Sequence, residues 1–307
     1  MKLFITGASG MVGRNLLEHP ASDGYSILAP SRDELDLLNG EAVARYIETH
    51  KPDVVIHCAG IVGGIQANIA NPVRFFTSNM QMAMNVINGA RSAGVKQLLN
   101  LGSSCMYPRN AVNPLREEAL LTGELEPTNE GYALAKIAAA RLCDYIVKEE
   151  PGFSYKTIIP CNLYGRHDKF GAHNSHMIPA VIAKIDVAVL ANAETVEIWG
   201  DGEARREFMY AGDLADFIFT ALTRFEQMPA LLNVGLGHDH SINDYYRTVA
   251  QVLGFHGDFE HDLAKPVGMQ QKLVSTERLG KFGWTARTSL ADGIRATYQF
   301  YLDHRND

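Results

Sequence analysis

Tyr132 and Lys136, in Tyr132-Ala133-Leu134-Ala135-Lys136, stand four residues apart and so share one face of a helix. A free phenol has a pKa of about 10 and is a poor acid–base group at neutral pH, but a neighbouring cation favours the phenolate and draws that value down. Alone, the pair is common on amphipathic helices with a solvated lysine. It gains weight beside Gly102-Ser103-Ser104-Cys105-Met106-Tyr107-Pro108, where two hydroxyls and a thiol follow the apolar run Gln97–Leu101. Cys105 there could be a nucleophile, a metal ligand, a proton carrier or packing. No acyl- or phosphoryl-transfer motif accompanies it, and Cys58, Cys143 and Cys161 read as small buried hydrophobes. His167, Asp168, His173 and His176 resemble metal ligands only loosely: the spacing is irregular and no cysteine pair assists, so no metal is expected.

A second chemical feature opens the chain. Thr6-Gly7-Ala8-Ser9-Gly10-Met11-Val12-Gly13 joins a β-type run to a helical one. Glycines spaced in this way allow a tight turn, close backbone approach to a pyrophosphate and close helix packing, with the helix N-terminus facing the phosphates. The turn's place between strand and helix makes a dinucleotide site the expected reading. The second strand runs into Ala29-Pro30-Ser31-Arg32-Asp33. An acid here suits the ribose 2′-hydroxyl of NAD and an arginine suits a 2′-phosphate, so Ser31 and Arg32 ahead of Asp33 favour NADP. The plainer alternative is a solvated Arg32 with Asp33 as an N-cap.

These groups need a scaffold. Strands are expected at Lys2–Thr6, Tyr25–Ala29, Asp53–His57, Gln97–Leu101 and Tyr155–Ile159. Helices are expected from the glycine turn to about Glu18, and over Leu38–His50, Pro72–Ala93 and Gly131–Val147. Strand–helix alternation predicts an α/β fold, a Rossmann-type doubly wound parallel sheet. After Pro160 the rhythm breaks, which predicts a dinucleotide-binding domain over 1–165, with a later contribution from about 207–236, and a smaller α/β substrate-binding domain over 166–307. A formal charge of −7 argues against nucleic acid or a membrane surface as partner, no run reaches spanning length, and four scattered cysteines suit a reducing cytoplasm.

Taken together, the motifs resemble the extended short-chain dehydrogenase/reductase family over essentially the whole chain. That resemblance implies Ser103, Tyr132 and Lys136 as a catalytic triad beside a nicotinamide. Ala59-Gly60-Ile61-Val62-Gly63-Gly64-Ile65, the Gly102–Pro108 stretch, Leu125-Glu126-Pro127-Thr128-Asn129-Glu130, Asn162-Leu163-Tyr164-Gly165 and Asn174-Ser175-His176-Met177-Ile178-Pro179 narrow it to the GDP-L-fucose synthase family. Its members are NADPH-dependent 3,5-epimerase/4-reductases of a GDP-4-keto-6-deoxy sugar. On this resemblance Cys105 and His176 are the epimerisation acid and base. The NADP(H) site is Gly7, Ser9, Gly10, Met11, Val12, Gly13, Arg32, Ala59, Leu101, Tyr132, Lys136, Pro160, Asn162, Leu163 and His176. Ser104, Asn162, Lys184, Trp199, Arg206 and Lys272 contact the GDP-sugar, and the chain forms a homodimer through its two long helices. Departures stand in Lys265-Pro266-Val267-Gly268-Met269-Gln270-Gln271-Lys272, where the family has an acid, a threonine and an arginine, and at Pro30, Gly131 and Arg166. They leave a dideoxy-hexose or heptose relative of the sugar open, beside a pure 4-keto reductase and a cofactor-retaining epimerase.

Overall fold

The computed structural model describes residues 1–171, 175–265 and 269–305. Its first half alternates β1 (Lys2–Thr6), α1 (Met11–Leu17), β2 (Ser26–Leu28), α2 (Gly40–His50), β3 (Val54–His57), α3 (Ile65–Ala70), α4 (Pro72–Ser92), β4 (Gln97–Leu101), α5 (Glu130–Glu149) and β5 (Ser154–Pro160). Then follow β6 (Asn162–Tyr164), α6 (Met177–Leu190), β7 (Thr195–Trp199), β8 (Arg205–Arg206), β9 (Phe208–Tyr210), α7 (Ala211–Thr223) and β10 (Leu231–Val234). The chain closes with β11 (His240–Ser241), α8 (Ile242–Leu253), β12 (Asp258–Asp262), β13 (Gln271–Lys272), α9 (Glu277–Phe282) and α10 (Leu290–His304).

The main sheet has the order β10-β5-β4-β3-β1-β2, and every neighbouring pair in it is parallel. Such strands are covered on both faces and must be apolar throughout. Along β1, Leu3 and Ile5 pack with Leu214, Phe217 and Ile218 of α7, while Phe4 packs with Val43, Val86 and Ala139 of α2, α4 and α5. The two-residue period of the strand therefore fills two separate cores. Further along the chain, α6, α8 and α10 enclose a third around Tyr164, Ile182 and Tyr245.

Strand β2 is shorter than the expected Tyr25–Ala29, because it lies at the sheet edge and pairs only through Ser26 to Leu28. Helix α2 begins two residues later than expected because Asn39 caps it, its side chain accepting from Ala42 N at 3.1 Å. Helix α3 was not anticipated. Glu207 ties the later segments to the sheet: fully buried, its carboxylate accepts from the backbone N–H groups of Leu236, Gly237 and Val274 at 2.6–2.9 Å. Burial pushes that carboxyl up to about 7 against the pull of those three donors. Parallel pairing brings the ends of β1, β3, β4 and β5 to one edge, the place where open α/β sheets bind ligands.

Candidate active site

At the end of β1 the glycine turn is closed by Gly10 N donating to Gly7 O at 3.0 Å. Gly7 has φ +69°, and a Cβ on it would lie 2.7 Å from the backbone of Ala59; a Cβ on Gly13 would lie 2.4 Å from Gly7 O. Neither position admits a side chain. Ser9 and Gly10 remain exposed, with Met11 and Val12 partly so, which leaves a bare backbone cradle at the start of α1. This cradle fits the pyrophosphate of a dinucleotide. At the end of β2, Glu34 accepts from Ser31 N at 2.7 Å and its own N–H returns to Ser31 Oγ at 3.3 Å. Ser31 and Glu34, not Asp33, thus close that loop, and Arg32 beside them is exposed.

The end of β4 turns sharply. Ser103 starts a single 3₁₀ turn, Ser104–Met106, with its hydroxyl accepting from Cys105 N at 3.3 Å. Ser104 is buried under that turn, and Tyr107 is pinned in the core by its hydroxyl donating to Asn233 Oδ1 at 2.6 Å. Tyr132 and Lys136 sit on successive turns of α5, and the Tyr132 phenol faces Ser103 closely enough for the serine side chain to favour its phenolate. Lys136, 6% exposed, donates to Leu101 O at 2.8 Å, with its ammonium 5.9 Å from the centre of the Tyr132 ring. Burial draws this ammonium down to about 8, and Cys58 works weakly against that. The expected lowering of the phenol does not follow: burial pushes Tyr132 up, Cys105 adds to the rise, and only the nearby Ser103 side chain opposes it. The Lys136 charge is engaged by the Leu101 carbonyl, and desolvation of the phenol wins. Behind it His57, 2.8 Å from Thr6 Oγ1, is held neutral by burial and by Lys136, its pKa drawn to about 3.

Two loops bring in the remaining groups. Asn79 of α4 grips Ile61 from both sides, accepting its N–H at 2.8 Å and donating to its carbonyl at 3.1 Å. The loop so held runs from Gly60, where a Cβ would be 3.6 Å from Lys136 Nζ, to Gly64, where one would be 3.8 Å from Ser175 O. His176 follows directly, at the start of α6, with Nδ1 3.4 Å from the nearly buried carboxylate of Asp168. His167 faces Glu18 instead, at 2.7 Å. His173 and Asn174 lie outside the described residues, as do Pro266, Val267 and Gly268. Among the described residues no group of three or more His, Cys, Asp or Glu is placed to hold a metal.

The cations of the substrate end fall into two groups. In one, β13 runs beside β8 with Lys272 opposite Arg206, and Lys272 Nζ lies 3.8 Å from Cys105 Sγ. In the other, Lys184 of α6 donates to the Glu197 carbonyl, while the Trp199 indole N–H donates to the Glu197 side chain at 2.9 Å. Pro160 and Leu101 are buried as strand ends and Leu163 packs on the core, so their side chains serve as walls. Asn162 spends its amide on Glu207 O at 3.0 Å. Sequence reasoning passed over Asn79, Asn129 and Glu207, and weighed Asp168 only as a metal ligand, not as the partner of His176. Asn129 lay inside a quoted motif, but no spacing rule points from it to Cys105, 24 residues away.

A family model described as the NAD dependent epimerase/dehydratase family matches residues 3–235. The chain belongs to that family. It is 54% identical to a "GDP-L-colitose synthase" from Yersinia pseudotuberculosis, with 100% of both chains covered. It is 51% identical to a "GDP-L-fucose synthase" from Azorhizobium caulinodans, covering 98% of this chain and 96% of the relative. Among solved structures, a "GDP-6-OMe-4-keto-L-xylo-heptose reductase" from C. jejuni superposes with a TM-score of 0.91 at 30% identity, covering 98% and 97% of the two chains. A "GDP-mannoheptose C4 reductase" from Campylobacter jejuni with NADP bound gives 0.89 at 31% identity, covering 98% of each. The chain is thus similar to GDP-L-fucose synthases over its full length.

Proposed function

We propose that this chain is an NADPH-dependent epimerase-reductase that converts GDP-4-keto-6-deoxy-D-mannose to GDP-L-fucose. The observation that carries this is the convergence, at one strand end beside the glycine cradle, of Ser103 facing the Tyr132 phenol, buried Lys136, and a cysteine sulfur within reach of Lys272. Relatives at 54% and 51% identity named for GDP-sugar synthesis support it, as does an NADP-bound structural neighbour.

A ketone at C4 acidifies the protons on C3 and C5. Cys105 and His176 exchange those protons from opposite faces, and Ser103 and Tyr132 hydrogen-bond the oxygen on which charge develops. Gly7–Gly13 and Arg32 would hold NADPH, which would supply the hydride for reduction at C4. Tyr132, its phenol kept protonated by burial, gives its proton to the C4 oxygen. Lys136 holds the cofactor ribose and its charge favours the phenolate left behind. Arg206 and Lys272 take the diphosphate, while Trp199 and Lys184 border the guanosine. On this reading 1–165 with 207–236 carries the cofactor and 166–307 the sugar nucleotide. Val73, Phe76, Met84, Leu134 and Tyr145 stand exposed on α4 and α5 and form the homodimer face. The enzyme works in the cytoplasm; no described helix is long and apolar enough to cross a membrane.

A specific observation favours a second reading, a related GDP-4-keto sugar such as a dideoxy-hexose or a heptose. Gln271, which replaces the family's arginine, donates to Asp239 at 2.6 Å, and its neighbour Lys272 reaches Cys105. The segment that departs from the family therefore borders the reacting centre. Incubation in D2O with NADPH and a panel of GDP-4-keto sugars, read by NMR, separates these. Deuterium at both C3 and C5 of a 6-deoxy product supports the main reading. Turnover that consumes NADPH with no deuterium at either carbon replaces it with a pure 4-reductase, and turnover that consumes no NADPH replaces it with a cofactor-retaining epimerase.

A further inference from the structure

Asn129 occupies the N-cap of α5. An asparagine there normally accepts from the first helical turn and stabilises the helix by roughly 1 kcal/mol. The Asn129 side chain makes no such bond. Its Nδ2 lies instead 3.3 Å from Cys105 Sγ, and its Oδ1 is buried with no partner among the described residues. A stranded buried carbonyl is uncommon and unfavourable. Local stability is therefore forgone at this residue, and what is obtained is an N–H on a sulfur.

A second donor arrives at the same sulfur from a different part of the fold, Lys272 Nζ at 3.8 Å. An amide NH2 and an ammonium can only donate, so the sulfur is the acceptor in both contacts. The 3₁₀ turn fixes the backbone beneath, Cys105 N donating to Ser103 Oγ at 3.3 Å. Among the described residues, the Tyr132 phenol also feels Cys105.

We propose that Asn129 is a positioning residue for Cys105: released from capping duty, its amide acts with Lys272 to hold the sulfur in its proton-free, acceptor form. In that form Cys105 is the base of the pair, not the acid the family resemblance suggests. It accepts the proton of the carbon beside the ketone, the C–H electron pair passing into the enolate, and His176 is left to return a proton from the other face. The consequence for catalysis rests on the reading of Cys105 as a proton carrier. The positioning itself does not, and it can be tested without any sugar.

The experiment is site-resolved alkylation of Cys105 by iodoacetamide across a pH series, quantified by peptide mass spectrometry on the full chain. Asn129→Ala, Asn129→Asp and Lys272→Met are compared with the parent. Because the thiolate is the reactive species, Asn129→Ala and Lys272→Met should each slow alkylation near neutral pH by about 5-fold, the worth of one hydrogen bond, and converge with the parent at alkaline pH. Asn129→Asp keeps the shape but replaces donor by acceptor, so it should be the slowest. Unchanged profiles in Asn129→Ala and Lys272→Met overturn the proposal, and so does parental reactivity in Asn129→Asp, which would mean that the carbonyl accepts from an S–H. Lys272→Met lies on another element and keeps the test decisive if the Asn129 variants do not fold. Shifted profiles in a protein that exchanges no C3 or C5 proton leave this proposal standing and remove the epimerase reading. Exchange in the parent with unshifted variants does the reverse.

Discussion

The two sides of the site are held in opposite ways. Ser103, Tyr132, Lys136 and the glycine turn hang from β1, β4 and α5, and the atoms around them cannot retreat. Ala59 backbone waits 2.7 Å from any Cβ on Gly7, and Lys136 is tied to Leu101 at 2.8 Å. His176 and Trp199 stand instead where loops meet α6 and β7, and Lys184 on the partly open face of α6, with side chains or whole residues 41%, 60% and 37% exposed. The difference separates two kinds of requirement. Proton and hydride chemistry at C4 needs atoms placed to within tenths of an ångström, and a sheet edge delivers that. Choice among sugar nucleotides needs surfaces that can change without unfolding the protein, and loops deliver that.

Breaking the rigid side should cost the most. Gly13→Val drives branched atoms into Gly7 O and Ala8, so a loss of about 2–3 kcal/mol of stability and of all NADPH binding is expected, read by thermal melting and nucleotide fluorescence. A variant that melts like the parent and binds NADPH would show that the turn can yield. Tyr132→Phe removes only a hydroxyl. Reduction of C4 should fall by about 10²–10⁴-fold with the melting temperature little changed; full activity would remove Tyr132 from the chemistry. On the loose side, Asp168→Asn leaves His176 beside a neutral partner, and deuterium exchange at the carbon it serves should slow by about 10-fold, the worth of a charge-assisted hydrogen bond. Equal slowing of C4 reduction would instead assign Asp168 to the fold as a whole.

The rigid side was also the more legible. Strand–helix alternation located every strand of the sheet's first half because buried parallel strands must be apolar, and the glycine turn could be read because only glycine tolerates its close approaches. Tyr132 and Lys136 follow from helical spacing. Their electrostatics did not, because the direction of the phenol's shift depends on how deeply it is buried and on the Leu101 carbonyl that engages Lys136, neither of which a spacing records. On the loose side the residues were named through family likeness, and what the sequence hid were their supports. Asp168 beside His176, Asn129 beside Cys105 and Arg206 beside Lys272 are contacts between elements that only the folded chain brings together.

The smallest predicted effect runs against intuition, because removing a rigid catalytic group should stabilise the protein. Lys136 has no carboxylate partner in the described structure, only a carbonyl, and burial lowers it from 10.5 to about 8. Such a depressed lysine is protonated in both folded and unfolded chains below pH 8, where its buried charge opposes folding by about 3 kcal/mol. Between about pH 8 and 10.5 the folded protein sheds the proton while the unfolded chain keeps it, so this opposition fades as pH rises. Lys136→Met removes the charge but strands the Leu101 carbonyl, which returns about 2 kcal/mol of the gain. The remainder, about 1 kcal/mol, should raise the melting temperature by a few degrees at pH 7 and vanish or reverse by about pH 10.5. A variant less stable than the parent at pH 7, by a margin that does not change with pH, would show that the lysine contributes its packing and hydrogen bond and that its charge is not held at a cost. That result would erase the contrast between a side built for chemistry at the expense of stability and a side built for choice.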